Sequence, residues 1–129
     1  MIPVFQTTVD KEKGDCLRAA LASILELKLE DVPHLRLLGE NWFETMYSFL
    51  WDNGYEFHGS KYGTDILTYD KGVKGYYIVQ GKSRTYPDCK HNVVFKDGKM
   101  VHDPNPSNKG LATIEDCWMI EPKKKGNEQ

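Results

Sequence analysis

The chain has 129 residues, 40% of them hydrophobic and 12% aromatic, with a net charge of −2. That length suits one domain, the composition suits a packed core, and so small a charge excludes a field able to collect nucleic acid. No apolar run reaches the roughly 18–20 residues that span a bilayer, so no membrane association is expected.

The opening Met1-Ile2-Pro3-Val4-Phe5-Gln6 has no basic region leading into an apolar one, so no secretory leader is expected. Residues 3–6 read as a short extended segment and Thr7 to Gly14 as a polar loop. A helix follows from Asp15 or Cys16. Leu17, Ala20, Leu21, Ile24 and Leu25 recur at helical spacing, while Ala19, Ala22 and Ser23 keep the other faces small, so the helix is expected at the centre of the fold. Asp15 is placed to cap its first turn.

Leu29 to Pro33 reads as one helical turn stopped by the proline. A second helix is expected over 40–53, burying Phe43, Met46, Tyr47 and Leu50, with Gly54 as its C-terminal cap. Trp42, Phe49 and Trp51 fall off that stripe and are expected to fill the core from other sides. The pattern then turns extended. Strands are expected at 55–58, 75–80, 91–95, 99–103 and 117–121, rich in Val, Ile, Tyr and Phe. Residues 81–90 read as a loop, and Asn105 to Asn108 as another, close enough to rim a site. Helices first and an antiparallel sheet afterwards define an α+β domain over 1–122, with 123–129 as a flexible polar tail.

Three widely spaced cysteines, Cys16, Cys89 and Cys117, make no disulfide framework and point to a reducing, cytoplasmic setting. Only Cys16 stands at a helix start, where free amides and the helix dipole favour a thiolate. A thiolate nucleophile needs a base in hydrogen-bond reach, and that base a third group to fix its tautomer. Of His34, His58, His91 and His102, His91 opens an apolar strand, and Asp103 closes the next. The intervening Lys96-Asp97-Gly98 carries a hairpin signal. A three-residue loop with Gly98 left-handed pairs Phe95 with Lys99 and sets His91 directly across from Asp103, leaving His102 facing away. The Cys16 amide and the Gln6 side chain are the expected donors to an oxyanion.

Gln6, Gly14-Asp15-Cys16 opening an Ala-rich helix, His91-Asn92-Val93-Val94 and Val101-His102-Asp103-Pro104 together resemble the papain-like cysteine peptidases, most of all the C39-like branch and its short bacterial and phage-borne members. The resemblance covers residues 5–105. It implies a papain-like fold and a thiol hydrolase of peptide or isopeptide bonds, monomeric, with a peptide or protein as substrate. In it Cys16 attacks, His91 serves as base, Asp103 orients the histidine and Gln6 builds the oxyanion hole. Acyl transfer on the same triad, or a non-catalytic binding or inhibitor module, remain the alternatives. Cys89-Lys90-His91 lacks a second ligand pair at zinc spacing, and no glycine loop cradles phosphate, so neither metal nor cofactor is expected.

Overall fold

The computed structural model describes residues 1–8, 14–59 and 75–123, with every side chain among them except that of Arg36. Residues 9–13, inside the expected polar loop, and 124–129, in the expected tail, lie outside the described residues. The architecture is α+β: α1 (Cys16–Leu25), α2 (Trp42–Asp52) and the strands β1 (Tyr55–Gly59), β2 (Tyr76–Lys82), β3 (Lys90–Lys96), β4 (Lys99–His102) and β5 (Asp116–Pro122). The strands form one antiparallel sheet in the order β1-β5-β2-β3-β4. Among the described residues no helix is long and apolar enough to cross a membrane.

Helix α1 is central because its faces are small enough to be covered on several sides. Ala19 to Ile24 are all buried, and Ala20, Leu21 and Ile24 pack with Ile78, Val94, Trp118 and Ile120 of the sheet. Ser23 ties this helix to the amino-terminal segment: its hydroxyl accepts from the Val4 amide at 2.8 Å and donates to the Ala19 carbonyl at 2.8 Å. That segment is no strand. It is strapped to the end of β4 by the Gln6 amide on the Pro104 carbonyl (2.9 Å) and by His102 Nε2 on the Val4 carbonyl (2.7 Å). His102 is thereby committed to holding the chain. A smaller cluster of Tyr77, Val79, Val93 and Cys117 makes a second core.

Three local expectations are corrected. Asp15 does not cap α1; its carboxylate accepts instead from both amides and one hydroxyl of Thr7 and Thr8 at 2.7–3.1 Å. Together these loop donors outcompete the helix amides for the buried carboxylate. Helix α2 begins later than expected, after a 3-10 segment over Leu35–Asn41, and its buried face is rotated. Met46 and Leu50 are fully buried, but Phe43 and Tyr47 are exposed, because Trp42 takes the inward position and meets Trp118 edge-on at 6.2 Å. Phe49 is half-buried against the same core, whereas Trp51 lies outside it, exposed.

The third correction concerns the β3–β4 hairpin. Its turn has two residues, Asp97 (φ 54°) and Gly98 (φ 76°), with Lys96 paired to Lys99. Positive φ at both positions matches the right-handed twist of the strands, so the two-residue turn wins over the three-residue loop. The register then slips: Phe95 pairs with Met100 but Val94 with His102, leaving Val101 as an exposed bulge residue. The ladder ends there, and Asp103 lies beyond it.

Candidate active site

The amino end of α1 faces the start of β3, and this brings the cysteine and the histidine together. Cys16 is half-buried; His91 is 5% exposed and lies opposite Gly81 of β2. A Cβ on Gly81 would stand 1.8 Å from the Thr113 carbonyl oxygen, so only glycine lets the 111–115 segment close over β2 beside the histidine. Asp103 reaches His91 from the loop after β4 rather than from a paired strand. His91 Nε2 meets Asp103 Oδ1 at 2.6 Å, both groups buried.

The carboxylate is itself held. Oδ1 also accepts from the Asn105 amide at 2.9 Å, and Oδ2 from the Gly110 amide at 2.8 Å. These donors hold the Asp103 carboxyl below its ordinary range: burial pushes it up, but His91 and the two amides outweigh burial. With Nε2–H donated to Asp103, the ring's other nitrogen, Nδ1, is left available to Cys16. That is the arrangement a histidine base requires.

Electrostatics couple the sulfur and the ring. Burial alone would raise the Cys16 thiol, yet hydrogen bonding and charge attraction from His91, with donors from Asn92, bring it below the ordinary thiol value. Burial alone would likewise lower His91, but Asp103 and then Cys16 raise it from 6.5 to about 9. The two shifts run in opposite directions, and both favour the thiolate–imidazolium form, the reactive form of a thiol nucleophile.

Both residues line a cavity of about 350 Å³. Leu17, Leu35, Trp42 and Trp118 make its apolar wall, and Gln6, Gln80, Ser83 and Asn105 contribute polar groups. Gln6 thus stands at the site, although its Nε2 donates to the Thr8 carbonyl at 3.0 Å. Comparison with family models, curated proteins and solved structures finds no match to this chain.

Of the four site residues expected from the sequence, Gln6, Cys16 and His91 line one cavity, and Asp103 lies behind His91, buried and bonded to its ring. Three further contributors had no sequence signal of their own. Asn92 Nδ2 donates to Cys16 Sγ at 3.5 Å, the Gly110 amide anchors Asp103, and Cys89 lines the cavity as a second free thiol. Cys117 is buried in the smaller core. His58 sits on the sheet 3.6 Å from Glu56 and Glu121, away from the cysteine. Among the described residues no group of three or more His, Cys, Asp or Glu side chains gathers to hold a metal.

Proposed function

We propose that the protein is a cysteine hydrolase of peptide or isopeptide bonds with a papain-like arrangement, akin to the C39-like peptidases. One observation carries the reading: a buried His91 joins the Asp103 carboxylate to the Cys16 sulfur at the wall of an open cavity. A buried histidine–carboxylate pair in a purely structural role has no need of a thiol on its other side, nor of access to solvent.

In this reading Cys16 Sγ attacks the carbonyl carbon of a bound amide. The Cys16 main-chain amide, in the first turn of α1 where amides lack helical partners, donates to the resulting oxyanion. His91 gives its proton to the departing amine and the thioester forms. Water then attacks the thioester while His91 takes its proton, and the thiolate leaves. Asp103 keeps the ring oriented and its charge compensated through both steps. The apolar wall of Leu17, Leu35, Trp42 and Trp118 suits a substrate with a bulky apolar group beside the scissile bond.

The test is a panel of fluorogenic peptide amides with a large apolar residue before the cleaved bond, incubated with the wild-type protein and with Cys16→Ala. Intact-mass detection of an acyl adduct on Cys16 and release of free carboxylate support hydrolysis. Release only when an amine acceptor is added assigns acyl transfer instead. Turnover that persists in Cys16→Ala ends the proposal.

A further inference from the structure

Asn92 touches the Cys16 sulfur but takes no part in the steps above. It is 5% exposed, follows His91 directly on β3 and lines the same cavity. Its Nδ2 donates to Cys16 Sγ at 3.5 Å, while its Oδ1 is buried with no partner among the described residues. The amide orientation follows from chemistry, because a carbonyl oxygen turned toward a thiolate would be repelled by it. An unpaired buried oxygen carries a desolvation cost that an apolar residue of similar size would avoid. A residue kept for packing alone would not bear that cost. The donor end gives the amide its use.

The inference rests on the hydrolase reading above. We propose that Asn92 is a catalytic residue, whose side-chain amide holds the Cys16 sulfur before attack and donates to the substrate's carbonyl oxygen once negative charge has moved there. In the attack a sulfur lone pair forms the S–C bond and the carbonyl π pair moves onto oxygen. Sulfur and oxygen are then bonded to one carbon, so a donor already touching the sulfur reaches the oxygen with a small side-chain rotation. Collapse of the adduct restores the carbonyl and breaks the C–N bond, with the proton for the amine coming from His91. Gln6 is less free for this task, since its Nε2 is engaged by the Thr8 carbonyl at 3.0 Å. The Asn92 donors also figure among the causes that lower the Cys16 thiol.

Two measurements on wild type, Asn92→Ala and the isosteric Asn92→Asp separate the two halves of the proposal. The first is the rate of Cys16 alkylation by iodoacetamide across pH, read by mass spectrometry of the Cys16 peptide. The second is protection of Cys16 from alkylation by acetyl-Phe-glycinal, whose hemithioacetal places a new oxygen where the oxyanion would be. Loss of one donor to a charged sulfur is expected to slow alkylation about tenfold below the thiol's ionisation in Asn92→Ala. At higher pH, where alkylation rates converge, aldehyde affinity is still expected to be about tenfold weaker. Asn92→Asp, which keeps the volume and loses the donor, is expected to show both losses at least as strongly. It also keeps the comparison valid should Asn92→Ala fold poorly.

A wild-type Cys16 that reacts fast and binds aldehyde, with both variants matching it, overturns the role of Asn92 and leaves the hydrolase reading standing. Slower alkylation with unchanged aldehyde affinity overturns the transfer of the donor to oxygen. A wild-type Cys16 no more reactive than a free thiol, and unprotected by aldehyde, overturns both readings together.

Discussion

Replacing Asp103 by Asn keeps the shape of the side chain and removes its charge, which isolates what the carboxylate does for His91. The ring is raised from 6.5 to about 9 against the effect of burial, with the Asp103 hydrogen bond first among the causes that raise it. Losing the Asp103 charge is expected to bring the upper ionisation of the Cys16–His91 pair down by about one unit, or roughly 1.4 kcal/mol of lost imidazolium stabilisation. The sulfur responds in the opposite sense: with less imidazolium beside it, the thiol ionises at higher pH. With the carbonyl oxygen of the new asparagine at the Oδ1 position, His91 and the Asn105 amide keep their acceptor and only the Gly110 amide loses its own, a cost of about 1–3 kcal/mol that the fold is expected to survive. The assay is an NMR titration of the histidine rings, with His91 assigned by its absence in His91→Ala. An upper midpoint still near 9 in Asp103→Asn would refute the reasoning, because the charge would then be held by something other than the carboxylate.

Cys16→Ser and His91→Ala are expected to abolish turnover while leaving melting temperature within a few degrees of wild type, checked by calorimetry beside the activity assay. The pH–rate profile of kcat/KM is expected to be a bell whose acid limb follows the lowered Cys16 thiol and whose alkaline limb lies near 9; an alkaline limb near 6.5 would contradict the pairing. Asp15→Asn is expected to cost about 1–3 kcal/mol at neutral pH, since the carboxylate holds the Thr7 and Thr8 donors. Burial raises this carboxyl, but those donors outweigh it and keep it below 3.8. The stabilisation is therefore full above 3.8 and is lost as pH falls through the lowered value, so acid unfolding curves of the two proteins should converge. Gly81→Ala is expected to cost about 1–3 kcal/mol, measured by urea unfolding, because the new methyl meets the Thr113 carbonyl.

The elements were legible wherever local chemistry decides them. Val, Ile and Tyr runs bounded by turn residues located all five strands to within a few positions, and Ala19 to Ile24 revealed a helix thin enough to bury. Cys16, His91 and Asp103 stood out because each residue type sat where its chemistry is useful. The route that joins them did not show. The bulge at Val101 depends on how β4 meets its neighbours, and the sequence pattern is equally compatible with an unbroken ladder. The rotation of α2 was hidden for a similar reason: Trp42 and Phe43 both satisfy helical spacing with Met46 and Leu50, and only the contact with Trp118 on a distant strand chooses between them. Asp15 as a cap was the local optimum, overruled by Thr7 and Thr8. Asn92 reads as one more strand residue until the amino end of α1 is set against it.

The Cys16 thiol ionises below its ordinary value because the imidazolium stands beside it. Absorbance at 240 nm reports thiolate directly, and the difference between wild type and Cys16→Ser removes the contribution of Cys89 and Cys117. The expected midpoint lies below the ordinary thiol value of 9.0 and moves up in His91→Ala. A midpoint at or above 9.0, unchanged by loss of the histidine, would contradict it.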